Sequence, residues 1–177
     1  MSAIILINPK YPHNVAAAIR ACSCFGINDL FWTGDRVDPS EYERLPREER
    51  MKGYKDVTWK RSDKPFHLIP ARDQLHVVAV ELVPGATSLV DYEHPHDSAV
   101  YIFGPEDGTI PQVYRRWCHR FLYIPSAHCL NLAAALNVVL YDRRAKRINA
   151  GLEGGMLQDY MQEDRGEIAA VAGWDGK

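Results

Sequence analysis

The feature that most constrains this chain is a series of short apolar runs, each closed by a turn and separated by helical stretches. Residues 4–7 (Ile-Ile-Leu-Ile) end at Asn8-Pro9, and residues 30–32 (Leu-Phe-Trp) end at Thr33-Gly34. Residues 76–81 hold Val77-Val78-Ala79-Val80, residues 99–103 end at Gly104-Pro105, and residues 121–124 end at Pro125. Runs of three to five apolar residues without alternation are strands buried on both faces. Between them, residues 15–25, 111–117 and 130–147 read as helices, with Asn14 placed as an N-cap and Gly26 at the C′ position. Strands alternating with helices predict an α/β fold, a parallel sheet with helices on both faces.

Several function classes fall away on composition. The longest apolar runs are far too short to cross a bilayer. Residues 4–9 break off without the basic-then-apolar pattern of a signal peptide, so the expectation is a cytoplasmic protein without a membrane partner. The four cysteines, Cys22, Cys24, Cys118 and Cys129, form no Cys-x-x-Cys pair, and Cys22 and Cys24 point apart on a helix. We expect reduced thiols and no metal site. A net charge of −2 does not describe a protein that coats nucleic acid. Its distribution is uneven, however. Arg115, Arg116, Arg120, Arg143, Arg144, Lys146 and Arg147 face a single acid, Asp142, whereas residues 151–177 form an acidic tail with one short helical pattern at 156–172. The basic stretch reads either as a phosphate-binding surface or as a solvated helix end. Residues 35–56 are charged and turn-rich, with a helical pattern near 40–49, and are expected either to cover the site or to be mobile.

Three segments place polar or Gly residues directly after buried strands: Pro12-His13-Asn14 with Arg20, residues 103–108 (Phe-Gly-Pro-Glu-Asp-Gly), and Ile124-Pro125 with Cys129-Leu130-Asn131. In open α/β sheets, ligands bind at the carboxyl ends of strands, so the three suggest one composite site. Arg20 stands alone in a small, apolar helix and calls for an anionic partner, either a ligand or an internal carboxylate such as Glu106. Gly104 lets a ligand approach the backbone. The loop 124–131 offers free backbone groups, and Asn131 is either a helix cap or a site residue. The segment 103–108 is neither a P-loop nor a dinucleotide fingerprint.

Taken together, over residues 3–147, these segments resemble the three motifs of the SpoU-type (TrmH-like) branch of the SPOUT RNA 2′-O-ribose methyltransferases. One departure is Cys129, where that family normally has Ser. The resemblance implies a SPOUT methyltransferase domain over residues 1–150, with a deep trefoil knot at its C-terminal end. It implies S-adenosylmethionine held near Leu82, Gly104, Ile124, Pro125, Cys129 and Leu130, and catalysis by Arg20, oriented by Asn14 and Asn131, with Glu106 holding its loop. It further implies a homodimer acting on RNA, for which tRNA is favoured over rRNA. Arg115, Arg116, Arg143, Arg144 and Arg147 are then the expected phosphate contacts. Two rivals are a cofactor-binding RNA assembly factor with little catalysis and an unrelated nucleotide-binding enzyme on a doubly wound sheet.

Overall fold

The structure, a computed structural model, describes residues 2–40, 56–70, 75–96 and 98–155. Seven strands form one sheet: β1 (Ser2–Leu6), β2 (Asp29–Trp32), β3 (Thr58–Arg61), β4 (His76–Val80), β5 (Thr87–Ser88), β6 (Ala99–Phe103) and β7 (Arg120–Tyr123). Their order is β3-β2-β1-β6-β4-β7-β5, and every pairing is parallel. The helices are α1 (Pro12–Phe25), α2 (Gln112–Arg115) and α3 (Leu132–Asn149), with a 3-10 turn at Pro65–His67.

The apolar runs are explained by burial on both faces. In β1, Ile4 and Leu6 join one core with Leu30, Trp32, Tyr101, Phe103 and Leu122, while Ile5 joins the other with Phe31, Ala79 and Ile102. The two faces are covered unequally. Both long helices pack on the first face, α1 through Val15, Ala18 and Ile19, and α3 through Leu136, Val139 and Leu140. Among the described residues, the second face is closed by shorter pieces: Phe66, Ile69, Leu75 and Ile110, with Tyr114 and Cys118 half-buried beside them. The expected pair of helical layers is therefore one helical layer and one layer of turns.

β3 and β5 have no apolar run to announce them. Both lie at sheet edges, where one side of the strand needs no cover, and β3 alternates exposed with half-buried residues. Gly26 ends α1 with a φ of 67°, as the sequence requires. The helix begins earlier than expected, at Pro12 with Tyr11 as N-cap, so Asn14 lies inside the first turn and is not the cap. The long last helix likewise starts at Leu132, not at 130. The helical patterns expected at 40–49 and 156–172 fall essentially outside the described residues. No helix among those described is long and apolar enough to cross a membrane.

The chain order within the sheet positions the site. β1 sits between β2 and β6, so the chain reverses direction across the sheet at β1 and leaves a crevice above the carboxyl ends. β7 then enters between β4 and β5, two strands that precede it in the chain.

Candidate active site

Above the carboxyl ends of β4, β6 and β7 lies a cavity of about 600 Å³. Its walls come from three loops: Glu81 and Leu82 after β4, Gly104, Pro105 and Glu106 after β6, and residues 124–130 after β7. All six residues expected around a cofactor, Leu82, Gly104, Ile124, Pro125, Cys129 and Leu130, line this one cavity. Leu82 is 78% exposed and Leu130 41%, so two apolar side chains stand open at its mouth. A Cβ at Gly104 would come within 3.3 Å of Ile110 Cγ1, a tight contact that the glycine avoids.

A hydrogen-bonded chain ties the first turn of α1 to the loops after β6 and β7 beside the cavity. Asn14 Nδ2 donates to Glu106 Oε1 at 2.6 Å, and Asn131 Nδ2 donates to Asn14 Oδ1 at 2.9 Å. Glu106 Oε2 accepts the Lys10 backbone N–H at 2.8 Å. Asn131 Oδ1 caps α3 by accepting from Ala133 N at 2.9 Å and Ala134 N at 3.3 Å. Asn131 is thus both cap and site residue, because its oxygen serves the helix and its amide serves Asn14. Asn14 is free to bridge because it does not cap its own helix. Its side chain is buried with both polar ends bonded, which satisfies the rule for buried amides.

Arg20 is placed differently from the expectation. It is exposed on α1 and does not line the cavity, so the cost of burying a guanidinium does not arise. Glu106, the internal partner considered for it, is instead held by Asn14 and Lys10.

Two groups escaped the sequence reading. Glu81 lines the cavity and accepts from the Thr109 hydroxyl and from Ile110 N at 3.1 Å, with Arg115 Nε 4.0 Å from its other oxygen. An acid directly after a buried strand is the signal that would have found it. Asp107 accepts two bonds from Arg36, at 2.9 and 2.8 Å, and lies 3.5 Å from Lys10 Nζ. Those bonds with Arg36 hold its carboxyl down to about 2.

The basic cluster of α3 turns inward. Arg144 and Arg147 both bind Glu153, and their remaining donors reach the carbonyls of Cys24 at 3.1 Å and His96 at 2.8 Å. Lys146 donates to the Leu89 and Tyr92 carbonyls and pairs with Asp142 at 2.8 Å. Arg143 donates to Ser2 Oγ at 3.2 Å. Asp142 also meets His94 Nε2 at 2.8 Å, and His94 Nδ1 meets the Tyr101 hydroxyl at 2.7 Å, a polar chain inside the core. Arg115 and Arg116 lie elsewhere, over the rings of Phe121 and Trp117. Among the described residues there is no group of three His, Cys, Asp or Glu able to hold a metal.

A crevice at the strand ends of a parallel sheet, flanked by the Glu106–Asn14–Asn131 chain, agrees with the family that the sequence motifs resemble. Residues 1–141 match the model of the SpoU rRNA Methylase family, and the chain belongs to that family of RNA methyltransferases. No curated protein matches it in sequence. Among solved structures, it is similar to the AdoMet-bound rRNA methyltransferase of Sinorhizobium meliloti, with 22% identity and a TM-score of 0.70 over 82% of this chain. The A. aeolicus TrmH/SpoU tRNA modifying enzyme gives 19% identity and a TM-score of 0.71, covering 85% of this chain and 77% of that one. A structure concerned with 2-OH methylation of C/U34 on tRNA gives 22% and 0.67, covering 85% of this chain and 97% of that one. The chain spans 56% of the length of the Sinorhizobium protein. At these identities the likeness is one of fold.

Proposed function

We propose that this protein transfers a methyl group from S-adenosylmethionine to a ribose 2′-OH of RNA, with tRNA as the substrate class, as a cytoplasmic homodimer. The observation that carries the reading is the Glu106–Asn14–Asn131 chain, with Asn14 at its centre, beside the cavity at the strand ends. The residues present fit the cofactor. The cavity is of the size that encloses small ligands, its walls are largely apolar, and the loops at 104–105 and 124–130 bring backbone to its wall that can meet an adenine edge. Leu82, Gly104, Ile124, Pro125, Cys129 and Leu130 would hold it. When bound, it supplies a methyl group on a sulfonium, already activated for displacement.

The chain's own residues must then orient the hydroxyl, receive or disperse its proton, and exclude water. Asn14 and Asn131 are fixed by each other and by Glu106, so the loops they join keep one relative position. Arg20 is assigned the electrostatic role: its guanidinium stays charged at ordinary pH and favours a developing alkoxide. Since it is exposed and outside the cavity of its own chain, we assign it to the cavity of the partner protomer. Dimerisation is supported by the apolar surface that Phe25, Val90, Val138 and Tyr141 form around a second hollow of about 560 Å³. The passage of β7 between β4 and β5 supports a trefoil knot formed by the segment after Ile124. Residues 1–150 are proposed as the catalytic domain and 151–177 as an appended tail.

The test is incubation with methyl-labelled S-adenosylmethionine and separated tRNA and rRNA, followed by mass spectrometry of the nucleosides. A 2′-O-methyl nucleoside appearing in tRNA is expected. Tight cofactor binding by calorimetry without methylation of any RNA would make this a cofactor-binding RNA factor instead.

A further inference from the structure

The N-cap of α1 breaks a local rule. That position favours Ser, Thr, Asp or Asn, whose side chains bond the free N–H groups of the first turn. Here it is Tyr11, which makes no side-chain cap bond, and the first turn carries no acid to compensate. The ring is 42% exposed, so it is not there to fill the core. It stacks on His13, itself exposed, with centroids 5.3 Å apart and planes 19° from parallel, and Lys10 Nζ lies 5.4 Å from its centroid. A local rule broken in this way points to a functional position.

The position of this stack is fixed relative to the site. The Lys10 N–H is held by Glu106, and the Asn14 N–H donates to the Tyr11 carbonyl at 3.1 Å, so Tyr11 lies between two anchored members of the Asn14–Glu106 chain. Asp107 draws Lys10 and Arg36 toward one point beside it. Because Asp107 and Glu106 offset the two cations, the patch is not a strong anion site. It is an aromatic surface with one half-exposed ammonium.

Resting on the RNA-methyltransferase reading, we propose that Tyr11, backed by His13 and Lys10, is the platform on which a nucleotide of the substrate RNA stacks beside the cavity. Every base has a flat face, so such a platform accepts single-stranded or loop nucleotides with little sequence preference. It positions the RNA while the reaction proceeds at the cavity. Stacking carries the contact, and Lys10 adds a single phosphate interaction.

The deciding variant is Tyr11→Ser, which installs a good N-cap while removing the ring. Its thermal midpoint should equal or exceed the wild type's, and its affinity for S-adenosylmethionine should hold. Its KM for unfractionated tRNA should rise about tenfold, with kcat changed far less. Tyr11→Phe should behave as wild type, because the ring and not the hydroxyl is used. Lys10→Ala should lower the slope of log affinity against log salt by about one. A Tyr11→Ser protein with wild-type KM overturns the platform while leaving the enzyme reading intact. A wild-type protein that methylates no RNA overturns the reading on which the platform rests.

Discussion

The cavity and the basic end of α3 use polar side chains in opposite ways. At the cavity, Asn14 on α1 bonds both Glu106 and Asn131 on two separate loops, while apolar and backbone surface beside them is left open. At the end of α3, Arg144, Lys146 and Arg147 direct their donors at internal carbonyls and at Glu153 and Asp142. One arrangement fixes loops around a space; the other fixes loops to the body. A run of charge in the sequence therefore says less about a ligand than the position of a few polar groups after strands.

The largest expected effect tests the first half of this contrast. Asn14→Ala leaves Glu106 Oε1 and Asn131 Nδ2 without their mutual partner and releases the loops from one another. We expect methyl transfer to fall by about a hundredfold or more, as for loss of a positioned polar group, measured by single-turnover labelling. Cofactor affinity by calorimetry should change only a few-fold, because Asn14 does not line the cavity. Equal losses in both would mean that the chain merely shapes the pocket.

The second half is tested by stability. His94→Ala removes the link between Tyr101 and Asp142 inside the core, and should cost about 3 kcal/mol in urea unfolding. Burial lowers the His94 pKa below its ordinary 6.5, with Asp142 opposing. As pH falls, the unfolded chain therefore binds this proton first. Stability from this group is complete above about pH 6.5 and declines as pH drops toward the folded value. The pH slope just below 6.5 should be shallower in His94→Ala; an unchanged slope would show that His94 is not its source. Arg147→Gln should cost roughly 1 kcal/mol and leave the affinity for tRNA and its salt dependence as they were. A flattened salt slope in that variant would return the α3 arginines to the RNA surface and dissolve the contrast.

The same contrast explains what could be read from the sequence. The buried strands were legible because two covered faces demand unbroken apolar runs, and Gly104 and Pro125 were legible because they follow such runs. β3 and β5 were not, since edge strands carry no such demand. Asn14 reads as a helix cap in the sequence, but Pro12 carries the helix start three residues further back, and propensity cannot show that the amide bridges two distant loops. The internal bonds of Arg144 and Arg147 to the carbonyls of Cys24 and His96 were not legible, because a backbone carbonyl carries no side-chain signal.

The smallest effect concerns Cys129, which stands where the resembled motif has Ser. The loop from 124 to 131 is held by other groups: Ser126 Oγ donates to the His128 carbonyl at 2.8 Å, and Asn131 closes the loop onto α3 and Asn14. Its shape therefore does not depend on the side chain at 129, which is exposed at the cavity wall. A thiol is a weak hydrogen-bond donor. If residue 129 only completes the wall, Cys129→Ser should alter turnover by less than about threefold, near the loss or gain of one weak hydrogen bond. A manyfold rise in turnover would instead mean that a hydroxyl at this position touches the reacting ribose, and that the open wall of the cavity is part of its chemistry.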